Sequence, residues 1–259
     1  MFGDISQVSI FFLILAAFSA GLVDAIAGGG GLIQLPALLI GLPQASTVEV
    51  LGTNKVASIF GTSASAVMYR RSVRTDGRFL ATMAIPAFVG SVLGALSAST
   101  IPTQSMRPIV FLLLVAVAIY TFKKPNLGAI EKLRHDIKKR FSISAMAGLV
   151  IGFYDGIFGP GTGSFLMLTL IYLGFAFLSA SAIAKVVNVS TNLGAIVVFG
   201  FHGAVIWQVA LVLAASNICG GMLGAKLAIR GGSTLIRKVF LLVTLALILK
   251  VGIDTLANW

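Results

Sequence analysis

The sequence predicts an all-α, polytopic membrane protein made of two inverted-topology repeats of about five helical segments each. Three observations predict it. Hydrophobic residues make up 58% of the 259 residues and charged residues only 10%, against roughly 25% charged in an ordinary soluble domain. The apolar residues run unbroken through 79–98, 108–122, 186–201 and 239–249, which suits spanning helices and not the alternation of a membrane barrel. Finally, one residue cluster occurs twice, as GLVDAIAGGGG at 21–31 and GFYDGIFGPGTG at 152–163, setting Asp24 and Asp155 131 residues apart.

The repetition extends well beyond that cluster. Lys55 follows Asp24 by 31 residues and Lys185 follows Asp155 by 30. Gly90-x-x-x-Gly94-Ala95 is answered by Gly220-x-x-x-Gly224-Ala225, and Arg107 by Arg237, each at an offset of 130. Duplication explains this better than chance. The expected organisation is a first transmembrane repeat at 1–122, a basic cytoplasmic linker at 123–140 and a second, inverted transmembrane repeat at 141–259.

In chain order, the opening MFGDISQ has no basic residue and no small-residue cleavage site, so it reads as an external terminus and not as a signal peptide. The first apolar segment ends at the glycine run 28–31, a poor helix former that implies a break. The next segment, 32–42, is about 17 Å long as a helix against a hydrocarbon core of roughly 30 Å, so a broken or re-entrant half-helix is expected. Ser46-Thr47-Val48-Glu49 fits a capping box, which puts Lys55 about 14 Å into the following helix. In the second half Ser179 is the expected cap, with Lys185 about 9 Å further along. After Pro125 the linker could form an amphipathic surface helix or stay a solvated connection. Cys219, the one cysteine, excludes an internal disulfide and a cysteine metal site, leaving packing as its expected role.

The net charge of +11 invites a nucleic-acid reading, which the placement of the basic residues rejects. Fourteen of 19 Lys and Arg fall in three loops: Arg70, Arg71, Arg74 and Arg78, seven residues of 123–140, and Arg230, Arg237 and Lys238. The positive-inside rule produces such clusters and assigns those loops to the cytoplasm, and no aromatic residues interleave with the charge as in a nucleic-acid surface. The loop 70–78 is basic, whereas its counterpart 201–208 has His202 and no Lys or Arg. For 99–107 and 230–238 the polarity reverses. Matching loops thus face opposite sides, the signature of an inverted repeat, with both chain termini outside.

Charged, glycine-interrupted segments at matching positions of two halves mark a substrate site in membrane proteins. Lys55 and Lys185 supply positive charge. The helix starts after the glycine runs, at Gly29, Gly30, Gly31 and at Gly161, Thr162, Gly163, Ser164, supply N–H donors that suit an anion. Thr53, Asn54, Asn188 and Asn192 complete a cage for a small oxyanion. The competing explanation has each lysine snorkelling to the surface or pairing with an aspartate. For Asp24 and Asp155 three roles stay open: proton carrier, lysine partner and cap of a broken helix. The Gly-x-x-x-Gly pairs are read as close helix packing, His202 as a solvated loop residue, and Lys226 and Arg230 as snorkelling side chains. No metal site or cofactor is expected. No G-x-x-x-x-G-K-[ST] motif occurs, which leaves ion or membrane-potential coupling with protons among the candidates. An enzyme is disfavoured, since no clustered ligands and no nucleophile–histidine arrangement are recognisable. A purely structural role would leave two intramembrane lysines as an unexplained cost. Self-association is left open.

The pattern G-x-x-D-A-I-A-G-G-G-G-L with Pro36 shortly after, and the triplet Thr53-Asn54-Lys55, resemble the TauE/SafE family of membrane permeases, named for sulfite export. The second-half G-F-Y-D-G-x-F-G-P-G-T-G-x-F-L at 152–166, followed by A-K-x-x-N from Ala184 to Asn188, is similar to the family's other half. The likeness spans nearly the whole chain. It implies a multi-pass permease of the bacterial cytoplasmic membrane moving sulfite, an organosulfonate or a related sulfur-containing or carboxylate anion. The expectation is a secondary transporter working by alternating access, with an anion channel using the same site as the alternative.

Overall fold

A computed structural model of the chain describes residues 7–98, 128 and 130–256. The segments expected at 99–107 and 108–122, and the external N-terminus, lie outside them. All regular structure among the described residues is helical: α1 (Gln7–Ala27), α2 (Gly31–Gly41), α3 (Thr47–Ser72), α4 (Gly77–Ser97), α5 (Ile137–Ile157), α6 (Thr162–Tyr172), α7 (Phe177–Phe201) and α8 (Trp207–Leu256). Among the described residues four stretches are long and apolar enough to cross a membrane: Val8–Ala27, Gly77–Ser97, Phe177–Phe201 and Trp207–Ala246. At 26 residues α3 has the length too, but it carries Thr53, Asn54, Lys55, Thr62 and Ser65, all buried. Its polarity is turned inward. The chain is a polytopic helical membrane protein.

Local chemistry explains most helix limits. The capping box forms at Ser46, where Glu49 N–H donates to Ser46 Oγ at 3.3 Å and Ser46 N–H donates to Glu49 Oε2 at 2.8 Å. The short helices α2 and α6 are 11 residues each, as expected for half-helices. The start of α7 differs from expectation. It begins at Phe177 after the cap position Ala176, with no side-chain cap, so Lys185 is about 14 Å past the cap and not 9 Å, the same depth as Lys55.

The structure decides three expectations. Residues 130–136 form no amphipathic helix. They run as a strap along the turn between α6 and α7, with Lys132 N–H on Gly174 O and Arg134 N–H on Leu173 O, both at 2.8 Å. Those bonds satisfy backbone groups that a surface helix would have to pair internally. The basic stretch 230–238 holds the expected break as a tight kink and not as an extended loop, since two helices of the span α8 meet at Gly232 (φ 60°, ψ −163°). A positive φ of this kind costs glycine least. Cys219 is exposed on α8 and not packed inside.

Helices from before and after the linker are interleaved. α4 lies against α5, and α1 against α8. Glycines make both approaches possible, in matched fashion. A Cβ at Gly90 or Gly94 would press on Leu149 O or Phe153 O, and one at Gly220 or Gly224 on Phe18 O or Leu22 O. In the other direction Gly152 faces Ala87 O, and Gly21 faces Asn217 O. Small residues let membrane helices approach this closely. Gly152→Val is expected to destabilise the protein by about 1–3 kcal/mol through overpacking, read as a lower melting temperature in detergent. Gly200→Ala, with nothing within 4 Å of the added carbon, is the control that should melt like wild type.

Two apolar clusters form the interior. One gathers Tyr69, Phe79, Met83, Leu166, Phe177 and Phe240. The other gathers Leu13, Leu38, Val50, Phe199 and Leu213. Buried polar residues concentrate on α3 and α7, among them Asn54, Lys55, Lys185, Asn188 and Asn192.

Candidate functional site

The site forms where two helices stop. Asp24 is in the last turn of α1, which ends at Gly28 (φ 79°) with Gly28 N–H on Asp24 O at 2.9 Å. Asp155 occupies the same place in α5, followed by Gly159 (φ 90°). Both glycines hold a left-handed conformation that a side chain would strain. The two turns touch each other, because a Cβ on Gly28 would fall on the Gly163 backbone and one on Gly163 on that of Gly28. From these turns α2 and α6 set off, and their first N–H groups lack helical acceptors.

The lysines reach across to the other half's aspartate. Lys55 Nζ lies 2.7 Å from Asp155 Oδ2, with both side chains 3% exposed. Lys185 Nζ lies 2.7 Å from Asp24 Oδ2, with the lysine at 0% and the aspartate at 18%. Of the roles left open for the aspartates, lysine partner is therefore occupied in this conformation. The pairs differ in detail. Lys185 donates aligned hydrogen bonds to both the Asp24 carboxylate and Asp24 main-chain O. Lys55 meets Asp155 through Oδ2 alone, with no contact to the main chain at the end of that helix, while Oδ1 accepts from Thr162 Oγ1 at 2.7 Å.

The end of α1 is further tied down by side chains from three other helices. Ala25 O accepts from Tyr69, Ile26 O from Ser181 and Ala27 O from Ser164, at 2.9, 3.3 and 3.0 Å. With Lys185 on Asp24 O, each of the four last carbonyls has a partner, as burial requires. No comparable set of side-chain donors meets the last carbonyls of α5 among the described residues.

Between the two turns and the mid-sections of α3 and α7 is a cavity of about 30 Å³, room for on the order of two water molecules. Of the residues singled out from sequence, Asp24, Gly30, Gly31, Asn54, Lys55, Asp155, Thr162, Gly163, Asn188 and Asn192 line it. The others lie near it in different roles. Lys185 is behind Asp24, Ser164 caps α1, and Gly29 faces Val243. Gly161 is the left-handed residue (φ 82°) before α6. Thr53 Oγ1 accepts from Ile206 N–H at 3.0 Å, holding the start of α8.

Four lining polar residues escaped the sequence reading: Gln34, Ser58, Thr62 and Asn217. The 130-residue offset could have found two of them, since Ser58 corresponds to Asn188 and Thr62 to Asn192. Gln34 and Asn217 could not be found that way: at the 131-residue offset that relates Asp24 to Asp155 Gln34 matches Phe165, and at 130 Asn217 matches Ala87. They bond to one another, Asn217 Nδ2 to Gln34 Oε1 at 2.6 Å. This leaves Gln34 Nε2 and, beside it in the lining, Asn54 Oδ1 buried without partners.

A polar chamber with paired charges, enclosed by apolar helices, suits a small polar solute passing through a membrane protein. Comparison with known proteins agrees. Residues 13–251 match the family model described as sulfite exporter TauE/SafE. The chain is 39% identical over 253 residues to the probable membrane transporter protein ORF9 of Sinorhizobium sp, covering 97% of this chain and 95% of that one. It is 36% identical over 256 residues to a probable membrane transporter protein of Haemophilus influenzae, covering 97% of both chains. To the probable membrane transporter protein YfcA of Escherichia coli K12 it is 34% identical over 254 residues, covering 97% of this chain and 92% of that one. Matched along almost its entire length, the chain belongs to the TauE/SafE family and is a membrane transporter, not an enzyme.

Proposed function

We propose that the protein is a secondary transporter that carries a small anion, with sulfite or an organosulfonate as first candidates, through the cytoplasmic membrane by alternating access. The observation that supports this reading most is Lys55, buried in a helix of a membrane protein and lining a polar chamber. Lysines in a membrane interior are costly by at least about 2.5 kcal/mol, and a neutral or cationic solute would give them no task. Lys55 supplies charge, the first turns of α2 and α6 supply N–H donors, and Asn54, Asn188, Asn192, Ser58 and Thr62 orient the substrate. A chamber of about 30 Å³ fits a closed conformation that must open to load.

The repeats, 1–122 and 141–259, run in opposite directions through the bacterial inner membrane, joined by the cytoplasmic linker 123–140 and leaving both termini outside. The family description names sulfite export, and a chamber that presents Lys55 is consistent with that chemistry. Purified protein in liposomes is expected to show saturable flux of sulfite or methanesulfonate, with weaker flux of a carboxylate. Flux that never saturates would point to a channel. No protein-dependent flux of any of these anions would overturn the anion assignment.

A further inference from the structure

We propose that the two lysine–aspartate pairs have different tasks: Lys185–Asp24 is a fixed strut, whereas Lys55–Asp155 opens during transport, Lys55 passing to the anion and Asp155 taking one proton. This rests on the anion-transport reading and deepens it, since it makes the protein a proton–anion symporter and names the coupling residue.

The asymmetry of the pairs carries the argument. Lys185 is fully buried, does not line the chamber, and bonds to both the carboxylate and the main-chain oxygen of Asp24. It thereby neutralises a carboxylate and the negative end of α1 together. Tyr69, Ser181 and Ser164 hold the neighbouring carbonyls. Moving Lys185 would strand several buried acceptors at once. Lys55 lines the chamber, and its ammonium rests against the left-handed turn at Gly159, which has no side chain to confine it. It holds Asp155 through the carboxylate oxygen Oδ2 alone, without the main-chain bond that ties Lys185 to the end of α1.

The two oxygens of Asp155 also divide the work. Oδ1 is fixed by the Thr162 hydroxyl, a group that Asp24 has no equivalent of, since the matching position is Gly31. Oδ2 is the oxygen that Lys55 leaves, and so the one that receives the proton. The balance is simple. Before loading, lysine cation and aspartate anion cancel; after loading, lysine cation and substrate monoanion cancel, and the aspartic acid is neutral. Without the proton an uncompensated negative charge would remain in a water-poor chamber, an arrangement that burial strongly disfavours.

Few other charges act on Asp155. Lys55 faces it from α3, and the Asp24–Lys185 pair adjoins from α1 and α7. Its chain neighbour Tyr154 donates its hydroxyl to Pro160 O. On the elements packed against α5, α4 bears only Arg78, in its first turn, α6 bears no Lys, Arg, His, Asp or Glu, and α7 bears only Lys185.

The test uses full-length protein in liposomes with radiolabelled methanesulfonate, whose single charge does not change with pH. With the potential clamped at zero, an imposed proton gradient should drive accumulation by the wild type, and a potassium diffusion potential alone should drive none. In Asp155→Asn gradient-driven accumulation should vanish while exchange of labelled for unlabelled anion remains measurable. In the double variant Asp24→Asn/Lys185→Met the accumulation that remains, whatever its rate, should still depend on the proton gradient. Accumulation by Asp155→Asn, loss of coupling in the folded double variant, or wild-type flux that follows the potential would each overturn the proposal while leaving anion transport standing. If Asp155→Asn does not fold, the wild-type response to potential decides alone. Absence of protein-dependent flux of both methanesulfonate and sulfite would overturn the transport reading and this inference with it.

Discussion

Replacing Lys55 with alanine is expected to lower anion flux on the order of 100-fold while leaving a folded, monodisperse protein. Removing one member of a buried pair typically costs 3–5 kcal/mol, and each 1.4 kcal/mol is a factor of ten. If the lost contact is the one to the substrate, the deficit falls on binding and not on the fold. Asp155 would still be held by Thr162, and beside the chamber it can neutralise itself by taking a proton. Lys55→Arg should rescue only in part, because a planar guanidinium on a chamber of about 30 Å³ changes both size and hydrogen-bond geometry. The check is concentration-dependent uptake in liposomes beside a melting curve in detergent. Wild-type uptake by Lys55→Ala would remove it from the substrate site.

The second large effect is on stability. Lys185→Ala is expected to destabilise the protein by about 3 kcal/mol, because the ammonium bridges the Asp24 carboxylate and the last turn of α1. Asp24→Asn combined with Lys185→Met should recover much of that loss, since both charges then disappear together and an apolar chain fills the space. Melting temperature in detergent is the readout. A single variant that melts like wild type would show that the strut is not needed.

These two variants separate what could be read along the chain from what could not. The duplication made Lys55 and Lys185 look interchangeable, and by position they are. Their surroundings are not: Lys55 opens on the chamber, and Lys185 is sealed behind the end of α1. The capping box at Ser46 was legible because it depends on residues three apart. The start of α7 was misplaced because Ser179 has the composition of a cap, while the backbone enters the helix three residues earlier, at Ala176. The strap at 130–136 was hidden for a related reason. Its hydrogen-bond partners lie about 40 residues away in the turn at 173–174, and no local pattern competes with a bond of that range.

The sequence by itself determined that the chain is a helical membrane protein, that its halves repeat, and that two lysines and two aspartates stand at matched glycine-broken positions. Composition, offset and local propensity suffice for each of these. Only the tertiary structure decided that each lysine pairs with the aspartate of the other half, that Gln34 meets Asn217 across 183 residues, and that one lysine faces the chamber while the other supports a helix end. Those facts depend on how helices distant in sequence cross, and the crossings are set by glycine contacts and buried hydrogen bonds that form only when the whole bundle closes.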